Sequence, residues 1–274
     1  YLELVLQVSG LDQIVAEEVA VFPGMEEICA LLYINQYYRE KSYDVIILDC
    51  APTGESLRFV SIPTVLDWYI RNVFKIQRNL VGAARTFVKK VATLPLPEDA
   101  YFQNLSDLFD RIEGVDQLLE DPQITTVRLV SNPEKMVIKE TQRAFMYFSL
   151  YGLTVDSVII NRILPSNVGG DFFESWKKTQ SQYIEQAERY FTNVPIWKAY
   201  LFDDQVLGLD GLKKLGNQLY SEVDPIDFYQ NEKAYEFSKD GDQYKISLLL
   251  PFIEKDEIQL AKSNDEVVVQ IGGF

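Results

Sequence analysis

The residues best placed to do chemistry lie between positions 43 and 63. Val45, Ile46, Ile47 and Leu48 form an apolar run with no alternation and end on the carboxylate of Asp49. Such a run is the pattern of a strand buried on both faces of a parallel sheet. In open α/β sheets ligands gather at the carboxyl ends of the strands. An acid there, followed by the turn Pro52-Thr53-Gly54 and a helix start, is therefore placed for a metal ion or a phosphate. The same pattern also describes a strand that stops at a capping Asp. A second polar pair, Asn161-Arg162, closes another apolar run over residues 155–160 and has the same position relative to its strand.

Several elements must hold these residues. Residues 25–39 read as a helix with an acidic first turn, Glu26-Glu27, that crosses over to the strand at 45–48. Over residues 65–91, Leu66, Tyr69, Ile70, Val73 and Phe74 begin an apolar stripe at helical spacing, with Arg71, Lys75, Arg78 and Arg85 between them. Read by itself, this is an ordinary packed helix pair. Leu94-Pro95-Leu96-Pro97 is a hinge before a helix over 99–119, closed by Pro122. Strands at 126–130, 155–160 and 194–197 then alternate with helices at 136–150 and 170–191, the order of a doubly wound α/β sheet. After Tyr220 the composition changes to a polar linker. Residues 244–250 and 266–271 then read as strands of a β-module. The expected architecture is α/β: a doubly wound parallel sheet over residues 1–223 with a helical insertion at about 64–121, and a partial β-module over 224–274.

Composition excludes whole classes of function. A net charge of −15 and the lack of a basic patch exclude nucleic acid as a partner, since phosphate neutralisation needs clustered Lys and Arg. With 0 His, imidazole metal sites and Ser-His or Cys-His pairs are impossible. The two cysteines, Cys29 and Cys50, lack C-x-x-C spacing and read as reduced, buried thiols. They offer no soft-metal trap, so no arsenite- or antimonite-stimulated activity is expected. No run is long and apolar enough to span a membrane, and the chain reads as cytoplasmic.

The words around these residues carry a resemblance. Asp49-Cys50-Ala51-Pro52-Thr53-Gly54-Glu55-Ser56-Leu57-Arg58 closely resembles D-x-A-P-T-G-x-x-L-R, the switch II signature of the ArsA family of deviant P-loop ATPases. That family takes in the arsenite-pump ATPase subunit and the ATPases that target tail-anchored membrane proteins. Pro23-Gly24-Met25-Glu26-Glu27 is similar to its P-G-x-x-E word, and Pro133-Glu134 with Glu140-Thr141 to its P-E-x-x-x-x-E-T. The residues from 244 on resemble the small-heat-shock (α-crystallin-like) module appended to some bacterial members.

The resemblance implies an ATPase using ATP and Mg²⁺, in which Asp49 holds the water shell of the ion and Pro52, Thr53 and Gly54 form the moving switch. It implies that Asn161, with Arg162, meets the adenine edge, an amide's acceptor and donor pair matching adenine's donor and acceptor. Capping of the strand end is the structural alternative for Asn161. Pro195 is expected to bracket the base from the other side. It further implies a homodimer whose residues 65–91 form a groove, floored by Leu66, Tyr69, Ile70, Val73 and Phe74, for an apolar client helix or a membrane-associated partner. No G-x-x-x-x-G-K-[ST] word occurs. The expectation is that this loop precedes Tyr1 and that the present chain alone does not turn over ATP. Two alternatives stand beside the client-binding ATPase: an arsenite-pump subunit, and a non-enzymatic chaperone with a relic ATPase core.

Overall fold

The computed structural model describes residues 25–50, 61–62, 103, 107, 110–230, 232–233, 235–241, 243–248, 255–263 and 266–271. The chain divides into two units, Tyr1–Leu118 and Leu119–Phe274.

In the first unit, helix α1 (Met25–Glu40) buries Leu31, Ile34 and Asn35, the i, i+3, i+4 spacing of one helix face. Asn35 does more than fill space. Its Nδ2 donates to the Arg111 carbonyl, and Arg39 donates to the Glu113 carbonyl at 2.9 Å. Residues 110–112 end a helical stretch there, so two side chains of α1 satisfy carbonyls that a helix end leaves orphaned. Gly114, at φ +85°, makes the turn into the short helix α2 (Val115–Glu120).

Residues 45–48 depart from the expectation of a buried strand. They pair with no strand and are exposed, Ile47 by 86%. A buried parallel strand exists only with ladder partners on its flanks, and no described residue supplies one to this run. Cys50 is likewise exposed and Cys29 half-buried, both free thiols, where two buried thiols were expected. The switch residues Pro52, Thr53 and Gly54 and the groove residues Leu66, Tyr69, Ile70, Val73 and Phe74 lie outside the described residues.

The second unit contains the parallel sheet, in the order β1 (Val127–Ser131), β2 (Val155–Ile163), β3 (Ile196–Tyr200). Helix α3 (Lys135–Leu150) connects β1 to β2 and packs on both; α4 (Asp171–Tyr190) connects β2 to β3, and α5 (Gly208–Tyr220) packs on β3. This mixed α/β arrangement with a parallel sheet is that of a P-loop ATPase, as expected. Its core is made where α3 and α4 meet β2: Val158 and Ile160 are fully buried, and the rings of Phe145 and Phe191 pack at 5.8 Å. Each such side chain contributes about 2 kcal/mol through burial. α3 ends in a Schellman cap. Leu153 N–H returns to the Phe148 carbonyl at 2.9 Å and Gly152 N–H to Ser149 at 3.1 Å, with Gly152 at φ +82°. The Glu140-Thr141 word also has a structural task, since Thr141 Oγ1 lies 2.7 Å from Ser131 Oγ and 2.8 Å from the Val137 carbonyl, holding α3 under the end of β1.

The carboxyl-terminal strands form two antiparallel hairpins. β4 (Tyr235–Asp240) pairs with β5 (Gln243–Leu248), and β6 (Ile258–Ser263) pairs with β7 (Glu266–Ile271). β7 matches the expected strand, β5 begins one residue early, and the charged loop expected between them contains β6. In the first hairpin Phe237 and Ile246 face each other on the same side as Tyr244, and all three are exposed.

Candidate functional site

The carboxyl ends of β2 and β3 are irregular in a way that opens a site. The β2–β3 register slips between Ile160 and Ile163, and within that slip Arg162 takes φ +56°, a left-handed conformation costly for a side chain with a Cβ. Asn161 supports it: its Oδ1 accepts the Arg162 N–H at 2.9 Å. This leaves the Nδ2 donors and the second lone pair of Oδ1 uncommitted among the described residues.

Two glutamines hold the strand ends. Gln180 of α4 is 8% exposed; its Nε2 donates to the Arg162 carbonyl at 3.1 Å and its Oε1 accepts the Leu164 N–H at 2.9 Å. Gln218 of α5 accepts the Tyr200 N–H at 2.9 Å. Leu201 N–H continues to the Ile163 carbonyl at 2.8 Å. A helix on each side therefore fixes the backbone from which the loop after β3 departs.

Between them lies an open cavity of ≈ 530 Å³ lined by Asn161, Arg162, Tyr200, the loop 201–206 and Leu215. Its size suits a small organic ligand. Its charge is informative: Arg162 shares the lining with two carboxylates, Asp203 and Asp204. A polyphosphate would meet repulsion here, whereas a neutral heterocycle with donor and acceptor edges fits an amide, ring and alkyl carbons. The residues present therefore fit the base of a nucleotide and not its phosphates.

The other expected site residues lie elsewhere. Pro195 precedes β3 at its amino-terminal end, where its carbonyl accepts the Val158 N–H at 3.0 Å, and it does not line the cavity that Asn161 and Arg162 share with residues 200–206. Asp49 is in the first unit, exposed. Burial, and then the neighbouring Asp49 carboxylate, push the Cys50 thiol above its ordinary pKa. Among the described residues no three His, Cys, Asp or Glu side chains come together to hold a metal. Sequence reasoning missed Gln180 and Gln218. Each is a lone amide on an amphipathic helix, and only the backbone it meets reveals its task.

A parallel sheet with an open cavity at the carboxyl ends of its strands has that cavity where open α/β sheets bind their ligands. Comparison with known proteins gives the family: the anion-transporting ATPase model matches residues 1–221, and the HSP20-like domain found in ArsA matches residues 241–274. The chain belongs to the ArsA family of anion-transporting ATPases. It is 44% identical over its whole length to a protein of Aquifex aeolicus named as an arsenical pump-driving ATPase 1, covering 70% of it. To a protein of Prosthecochloris vibrioformis named as an arsenical pump-driving ATPase it is 37% identical, over 99% of this chain and 68% of that one. An ATPase get3 of Neurospora crassa is 26% identical over 77% of this chain and 63% of its own length. Among the described residues no helix is long and apolar enough to cross a membrane.

Proposed function

We propose that the protein hydrolyses ATP with Mg²⁺ and uses the nucleotide cycle to bind and release an apolar, membrane-protein-like client, acting in the cytoplasm as a homodimer. The observation that supports the nucleotide part is the cavity at the ends of β2 and β3, lined by Asn161, whose Nδ2 is uncommitted among the described residues, and by Asp203 and Asp204, which disfavour phosphate. In this reading Asp49 holds the water shell of Mg²⁺ at the γ-phosphate end, and residues 52–54 transmit its state. The bound ion supplies charge neutralisation at the phosphates. The client part rests on the apolar stripe with basic neighbours over residues 65–91, a floor and rim suited to an apolar helix with acidic flanks.

Steady-state hydrolysis by the full-length protein tests the enzyme reading. Asp49→Asn is expected to keep ATP binding while lowering kcat about a hundredfold or more, because a positioned charge acts mainly on the transition state. Unchanged turnover would remove Asp49 from the mechanism. Tyr69→Asp or Phe74→Asp is expected to weaken binding of an apolar helical peptide without loss of hydrolysis. A large fall in melting temperature in both would make the stripe core.

A further inference from the structure

Residues 222–240 lie between the two family matches, and their polar composition reads as a loose tether. The structure shows Pro225, Asp227, Tyr229, Glu232 and Tyr235 held. At the amino-terminal edge of the sheet, Arg128 of β1 sets Nε and Nη2 each 3.3 Å from one carboxylate oxygen of Asp156 on β2, whose side chain is fully buried. The same guanidinium has donors to spare. Nη1 donates to the Pro225 carbonyl at 2.6 Å and Nη2 to the Asp227 carbonyl at 3.0 Å. Its carbon stands 5.1 Å from the Tyr229 ring centre and 5.7 Å from that of Trp197 on β3, and Tyr229 meets Trp197 edge to face at 4.7 Å. Further along, Thr154 Oγ1 donates to the Glu232 carbonyl at 3.2 Å. The ring of Tyr235 then covers Gly152 so closely that a Cβ there would stand 2.9 Å from Tyr235 Cε1.

We propose that residues 225–235 are an internal strap, clasped by Arg128 along the amino-terminal edge of β1–β3, which carries the first strand of the β4–β5 hairpin onto the ATPase sheet as a fixed appendage. Arginine is needed at the clasp. A fork of five donors can answer a carboxylate and two carbonyls at once while its flat face stacks on rings; the three donors of a lysine cannot. The buried Asp156 gives the clasp its fixed point, since a carboxylate removed from water requires its partner in place.

Hydrogen–deuterium exchange over residues 224–235 of the full chain tests the strap, with Trp197 accessibility to acrylamide as a second readout. The wild-type segment is expected to exchange at least tenfold more slowly than a free peptide of the same sequence. Tyr229→Ala leaves Arg128 and Asp156 paired; it should speed exchange of the segment severalfold and expose Trp197, while residues 155–160 stay protected. Arg128→Lys should loosen the same segment. Exchange at the peptide rate in the wild type, or a segment unchanged by Tyr229→Ala, overturns the proposal.

Discussion

Gln180 brackets the kink beside Asn161: one amide of α4 donates to the carbonyl of Arg162 and accepts the N–H of Leu164, at 3.1 and 2.9 Å. A residue with no apparent chemistry thus sets the geometry of the residue that has some. Gln180→Leu leaves two part-buried backbone groups without their partner. The expected cost is about 2–3 kcal/mol, read as a fall in denaturation midpoint, with weaker ATP binding. A midpoint within error of wild type would show that water replaces both bonds.

Arg162 sits at φ +56°. Replacing it by glycine removes the backbone strain, worth about 1 kcal/mol, against the extra entropy that glycine gives the unfolded chain. Arg162→Gly is therefore expected to match or exceed the wild-type melting temperature, and Arg162→Ala to fall below Arg162→Gly. Equal melting temperatures for the two variants in calorimetry would mean that the left-handed conformation stores no strain.

Tyr235 and Tyr229 both have raised pKa values, Tyr235 through burial and then the charge and hydrogen bond of Glu120, Tyr229 through burial despite the opposing charge of Arg128. The folded protein holds these phenol protons more tightly than the unfolded chain. Their stabilising contribution is complete below the ordinary tyrosine pKa of about 10 and is lost as pH rises through the raised values. Stability is expected to fall as pH rises above about 10, less steeply in Tyr235→Phe. Identical slopes for that variant and wild type would contradict the Tyr235 contribution.

Cys50 is exposed yet carries a raised pKa from burial and the adjacent Asp49. Since the thiolate is the nucleophile, iodoacetamide should alkylate Cys50 more slowly at pH 8 than a cysteine in a free peptide, and Asp49→Asn should speed the reaction. A rate equal to the peptide's would contradict this.

The sheet was legible because β1, β2 and β3 are apolar runs spaced by amphipathic helices. Residues 45–48 were not, because a buried-strand pattern records what a segment can do once it has neighbours, not which neighbours it has. Asp156 and Arg128 passed unnoticed inside the runs at 155–160 and 126–130. A charge inside an apolar strand has to be paired, and an opposite charge near the start of the adjacent strand was the available signal. In the site, Asn161 and Arg162 were marked by their place at a strand end, whereas the expected bracketing role of Pro195 depended on which end of β3 it occupies, a matter of where the strand starts.

In the proposed function the cavity beside Asn161 holds the adenine of ATP. Photolabelling of the full-length protein with 8-azido-ATP and Mg²⁺, followed by peptide mapping, tests it most directly. The label is expected on residues 200–206 or on the peptide containing Asn161 and Arg162, to be competed by ATP in preference to GTP, and to fall about tenfold in Asn161→Ala, the scale of losing one well-placed hydrogen bond. ATP-competable label confined to other segments, or undiminished label in Asn161→Ala, would contradict the assignment.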